Sequence, residues 1–443
     1  SLFVVLALFA CNNDVGGSQT TATVSTSTST TSTSTTSTST TNTSTSTTTG
    51  TTSTTETGST TTVETGSTTT TTPKPVDKRI IGYFAEWAVY DRDYHVWDIP
   101  VGNLTHINYA FANATTGGGC EIYDEWAALK KDGGNYNLLV DLKAANPGLK
   151  TLISVGGWTL SGQFSDIALT VASRTAFVND CVDFMVAYGF DGIDIDWEYP
   201  VGGGLESNVN RPEDKENYTL LLAAFRDRLD IVAPGSLLTI AAPGGAEHIE
   251  NIDMIGITTY VDWINIMSYD FHGGWDSTTG HNAALYPNTD SPFTSEATSN
   301  AHAAIQNYLD GGVPADKVVM GVPFYGRGWS GVPNVDMGLF QSSTGLPSGT
   351  WESGVFDYHD LHDNYVGAAG WTRTWDKQSQ VPWLYNAAQS TMISYDDEES
   401  LAIKANYIID NNLGGAMFWE LSGDTSDSLL SDTLAELLKK SAQ

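Results

Sequence analysis

The sequence predicts a (β/α)8 TIM barrel carrying a small α+β insertion between its seventh and eighth strands. Three observations lead there. Eight short apolar, β-branched runs are spread over about 365 residues from residue 79 onward. Stretches with helical spacing of apolar residues lie between them. A row of carboxylates, DGIDIDWEYP at 191–200, closes the fourth run, and barrels of this kind build their sites at the C-terminal ends of their strands.

Residues 1–11, SLFVVLALFAC, are an apolar run too short for the roughly 20 residues that cross a bilayer. They read as the tail of a signal peptide whose start is absent. Leu8-Phe9-Ala10-Cys11 is similar to a bacterial lipobox, which would make Cys11 a lipidation site; a plain secretory signal is the alternative, and both export the protein. Residues 12–75 form a linker, almost entirely Ser and Thr from 18 to 72. With no apolar face to bury, it is expected to be a disordered or O-glycosylated tether, closed by Pro73 and Pro75.

The catalytic domain is expected over 76–443. Its strands are predicted at 79–84, 104–111, 149–157, 190–196, 237–243, 261–270, 317–326 and 414–421. Helices are predicted at 174–189, 217–232 and 398–412, with a last one in LLSDTLAELLKK. Two spans exceed ordinary barrel loops. Residues 329–396 carry alternating stretches such as GWTRTWD and VPWLYN, which predict the insertion. Residues 112–135, after the second strand, predict another wall of the mouth.

Twenty basic against 52 acidic residues give a net charge of −32, of which about −29 lies beyond the linker. Phosphate backbones and anionic membranes are repelled, so no nucleic-acid partner is expected, and a membrane only through a lipid on Cys11. The 13 Trp, 19 Tyr and 15 Phe supply flat apolar faces that suit sugar rings and equally suit cores. No Cys/His cluster has zinc spacing, and no metal or cofactor is expected. Cys120 and Cys181 suit a disulfide, while Phe177, Phe184 and Tyr188 at helical spacing around Cys181 suit a buried thiol.

In an extended DGIDIDWEYP, Asp194, Asp196 and Glu198 share one face about 6 to 7 Å apart, and Ile195 and Trp197 take the other. At that spacing two charges repel by ~2.5 kcal/mol at an effective dielectric near 20, close to two pKa units. The three acids are therefore not all ionised near neutrality. Asp191 has the opposite parity, which predicts a structural role before the strand.

DGIDIDWEYP resembles the DxxDxDxE signature of glycoside hydrolase family 18, the chitinase family. Ser154-Val155-Gly156-Gly157 is similar to its SxGG motif, Met267-Ser268-Tyr269-Asp270 to the motif ending its sixth strand, and Trp419 to the Trp flooring its central subsite. The resemblance covers 79–423 and implies hydrolysis of chitin or chitooligosaccharides by a monomer without cofactor. It implies a retaining, substrate-assisted reaction in which the sugar's own acetamido group is the nucleophile. Glu198 would be the general acid, Asp196 and Asp194 its crowding neighbours, Tyr269 the holder of the acetamido oxygen and Asp270 a helper beside it. Trp419 would stack on a sugar. Trp87, Trp158 and Trp275 follow strands and suit either stacking or lid and core packing, and Tyr83, Met267, Tyr325 and Arg327 are expected to line the cleft. An endo-β-N-acetylglucosaminidase and a sugar-binding lectin on the same barrel are the alternatives.

Overall fold

The computed structural model describes residues 78–439 apart from Gly118. The expected signal and lipidation segment with Cys11, and the expected linker 12–75, lie outside the described residues. Eight strands pair in parallel: β1 (Arg79–Ala85), β2 (His106–Thr115), β4 (Lys150–Gly156), β5 (Gly192–Asp196), β6 (Leu237–Pro243), β7 (Trp263–Met267), β8 (Val318–Pro323) and β14 (Gly415–Trp419). Their order, β1-β14-β8-β7-β6-β5-β4-β2, closes through a β1–β2 pairing, so no edge is left open.

Alternation along the strands splits the apolar residues into two sets. Ile80, Ile107, Ile153, Ile193, Ile195, Ile240, Ile264 and Phe418 face outward, where they pack under helices such as Val171–Ala187, Asp214–Val232 and Glu398–Asp410. Each such side chain, fully buried, stabilises the fold by about 1.5–3 kcal/mol. A smaller set fills the lumen: Ile81, Tyr83, Leu152, Trp263, Val319 and Met417.

The second long span begins with an antiparallel strand, β3 (Gly119–Ile122), paired to the end of β2 and followed by a helix at Glu125–Leu129. A Cys120–Cys181 disulfide ties this hairpin to the helix Val171–Ala187, so the bridge, and not the buried thiol, is what the fold contains. Helical spacing around Cys181 did not distinguish them, because one thiol of a bridge can be as buried as a free one; Cys181 is 1% exposed.

The insertion starts four residues before the expected 329. The predicted seventh strand divides at Phe324, whose N–H still bonds the Trp419 carbonyl at the end of β14, and β9 (Tyr325–Ser330) already belongs to the insertion. Five antiparallel strands follow the order β10-β9-β13-β12-β11, with β10 at Val355–Asp357, β11 at Trp371–Asp376, β12 at Val381–Asn386 and β13 at Thr391–Ser394. The helix Tyr358–Asn364 completes the α+β unit. Its core is Trp329, Val332, Leu339, Trp383, Tyr385 and Met392.

Candidate active site

β5 ends at Asp196, two residues before Glu198, which therefore sits on the outgoing loop and not on the strand. The alternation nevertheless persists: Ile193, Ile195 and Trp197 pack in the outer core, and Asp194, Asp196 and Glu198 line the opposite side. Trp197 anchors the loop, stacked on Phe164 with centroids 5.4 Å apart.

Asp194 lies deepest. Parallel register sets Ser154 on β4 and Thr239 on β6 directly beside it. Its Oδ2 accepts from Tyr83 Oη at 2.7 Å and Ser154 Oγ at 2.9 Å; its Oδ1 accepts from Thr239 Oγ1 at 2.5 Å and Asn265 Nδ2 at 3.2 Å. Burial holds its pKa above the usual carboxylate range, against the lowering pull of the four hydrogen bonds.

Asp196, one rung higher, is 4% exposed, and its Oδ1 has no hydrogen-bond partner. Burial, then Glu198, then Asp194 drive its carboxyl well above the usual range. Its backbone is held closely: the carbonyl accepts from Gly157 N–H at 2.8 Å and Ser161 Oγ at 3.0 Å. Gly156 makes that approach feasible, since its φ is 107° and a Cβ there would run into the same carbonyl.

Glu198 is pushed up to about 7, first by burial, against a hydrogen bond from Tyr199, and then by the Asp270 charge. Burial is thus the leading cause for both Asp196 and Glu198, where spacing alone had pointed to crowding. The loop is pinned through Glu198 N–H to Ser161 Oγ at 2.9 Å and Asn208 Nδ2 to the Glu198 carbonyl at 3.0 Å. Tyr199 stacks on His248, with centroids 4.4 Å apart and ring planes nearly parallel.

β7 ends at Met267, which is half-buried, and the chain turns through Tyr269 to Asp270 at φ 58°. The half-buried Tyr269 lies with Met267 and Trp419 against the lumen cluster. Gly321 leaves room for it, because a Cβ there would sit 2.9 Å from the Tyr269 ring. Asp270 forms a second cluster: Arg327 binds it with two prongs, Nε to Oδ1 at 2.9 Å and Nη2 to Oδ2 at 2.7 Å, and Tyr325 Oη donates to Oδ1 at 2.7 Å. Tyr325 and Arg327 are both on β9, so this cluster fastens the insertion to the end of β7.

Trp419 closes β14 among Tyr83, Phe111 and Trp87, at 5.6, 5.8 and 6.1 Å between centroids. Trp275, 61% exposed, lies under the Arg327 guanidinium at 5.2 Å, and Trp158 is 44% exposed after β4. Asp191 stands at the opposite end of β5, accepting from Lys143 Nζ at 2.8 Å and Thr151 N–H at 2.9 Å, which is a structural position. Thr239, Asn265, Ser161, Asn208 and Tyr199 were not singled out from the sequence. Only Tyr199, adjacent to Glu198, carried a local signal; the others arrive through strand register or loop folding. Among the described residues no group of His, Cys, Asp and Glu has the arrangement of a metal site.

This arrangement offers an exchangeable proton at a cleft, two buried carboxyls beneath it and a phenol beside it. Comparison with known proteins adds the following. The sequence model for glycosyl hydrolases family 18 matches residues 79–424. The chain is 45% identical over 410 residues to Chitinase A1 of Niallia circulans, covering 81% of this chain and 58% of that protein. It is 36% identical over 370 residues to Endochitinase 1 of Metarhizium robertsii, covering 79% of this chain and 82% of that one. The solved structure of chitinase ChiA74 from Bacillus thuringiensis superposes with a TM-score of 0.78 at 39% identity, over 82% of this chain and 70% of that one.

Proposed function

Since the chain belongs to glycosyl hydrolases family 18, we propose that it is an exported chitinase that cleaves β-1,4-linked N-acetylglucosamine with retention, through substrate assistance. The observation that carries this reading is the graded row of acids: Asp194 saturated with four donors, Asp196 without a partner for Oδ1, and Glu198 raised to about 7 at the outer end. Glu198 keeps a proton near neutrality and donates it to the glycosidic oxygen. As that bond breaks, the acetamido oxygen closes on the anomeric carbon to form an oxazolinium ion. Asp196 accepts a hydrogen bond from the acetamido N–H and offsets the positive charge, and Tyr269 Oη steadies the acetamido oxygen. Glu198 then takes a proton from water, which opens the ion from the face the leaving group left, opposite the acetamido oxygen, and so gives retention.

Trp419, with Tyr83 and Phe111 against it, supplies an apolar floor for the sugar ring, and Trp87, Trp158 and Trp275 offer further faces along the mouth. Export is supported by the apolar start of the sequence and by the Cys120–Cys181 bridge, which suits an oxidising compartment. A monomer, and attachment to a membrane through Cys11, belong to the same proposal.

Glu198→Gln tests the assignment. Turnover of chitohexaose should fall by about 100-fold or more while the oligosaccharide still binds. Anomer-resolved products from wild type should be β at first release; inverted products, or an undiminished glutamine variant, reject the mechanism.

A further inference from the structure

Asn265 lies at the base of the acid row, wholly buried, with both ends of its amide committed. Trp263 Nε1 donates to its Oδ1 at 2.9 Å, and its Nδ2 donates to Asp194 Oδ1 at 3.2 Å. An indole N–H can only donate, so it turns the amide oxygen toward itself and the amide N–H toward the carboxylate. The indole is fixed in its turn. It is 1% exposed, the Arg79 guanidinium lies over it at 4.7 Å and the His106 ring meets it edge-on at 4.8 Å. Of the four groups bonded to Asp194, the three hydroxyls of Tyr83, Ser154 and Thr239 can rotate and either donate or accept. The Asn265 amide, oriented by Trp263, is the one that can only donate.

We propose that Trp263 and Asn265 are positioning residues, a relay from the barrel floor that compels Asp194 to remain the acceptor in the acid row and so leaves the row's proton to Asp196 and Glu198. The inference rests on the proposed function and specifies how its proton is kept at the outer end. Without the Trp263 N–H, the amide is free to turn over and present its oxygen to Asp194, a repulsion relieved when Asp194 takes a proton. The groups facing Asp194 are Tyr83 from β1, Ser154 from β4, Thr239 from β6 and Asn265 from β7, with Asp196 above it on β5. Tyr218 and Tyr269 complete the titratable surroundings, and burial holds these tyrosines neutral.

The test compares Trp263→Phe, which keeps a ring against Arg79 and removes the donor, with Asn265→Leu and the double variant. Each is assayed on chitotetraose from about pH 4 to about pH 9. The acid limb of kcat should rise by roughly one pH unit in each single variant, so that kcat near the wild-type limb falls about tenfold with KM unchanged. The double variant should match Asn265→Leu, because both changes break one relay. A limb that coincides with wild type in a folded variant overturns the inference, even where the melting temperature has dropped, and so do additive shifts in the double variant. Should Trp263→Phe not fold, Asn265→Leu carries the same limb test. Carbon-13 titration of the aspartate carboxyls reads the shift without turnover. An inactive wild type therefore defeats the proposed function, while the relay stands or falls on the titration.

Discussion

At the scale of single residues, the acid row works by unequal solvation. Asp194, Asp196 and Glu198 have the same chemistry, and their surroundings separate them: four donors on the first, none on Oδ1 of the second, a single tyrosine on the third. In the proposed reaction Glu198, raised to about 7 by burial and then by Asp270, must hold its proton to act, so kcat/KM should decline as pH rises through about 7. Asp270→Asn removes the negative charge and leaves the Arg327 cation unopposed, and both changes favour the ionised Glu198. The basic limb should move down by up to about one unit in a pH–rate profile. A limb that stayed in place would mean that Asp270 acts only as a fastener for the insertion.

Single elements show how the mouth is held. The loop after β1 carries Trp87 next to Glu86, which is 1% exposed and pushed up to about 9, chiefly by burial and then by Asp124. Tyr109 Oη reaches its Oε2 at 3.3 Å, and its Oε1 is without a partner. An acid raised from its ordinary 4.5 is neutral in the fold, so its contribution is complete below about 4.5 and is lost as pH rises toward 9. Glu86→Gln keeps the shape and cannot ionise. Its melting temperature should match wild type near pH 4 and exceed it by several degrees at pH 9, as calorimetry would show.

For the whole molecule, the decisive restraints are those that join distant parts of the chain. The Cys120–Cys181 bridge spans 61 positions and anchors the β2–β3 hairpin to an outer helix. By loop-closure entropy, replacing both cysteines with Ala should cost up to ~4 kcal/mol in denaturant titrations. The Asp270–Arg327–Tyr325 cluster joins the insertion to the barrel in the same sense, across more than fifty residues.

The sequence by itself determined the barrel, its eight strands, the insertion and the parity of the acid row, because period-two alternation and apolar runs are local properties of a chain. It placed Asp191 apart from Asp194, Asp196 and Glu198 for the same reason. It could not choose between a bridge and a buried thiol for Cys181, nor find Thr239 and Asn265, since which side chains face Asp194 depends on the register of β4, β5, β6 and β7 once the barrel closes. Nor could spacing reveal that burial outweighs crowding in raising Asp196 and Glu198. Desolvation is set by everything packed around a group, and only the tertiary structure brings those neighbours together.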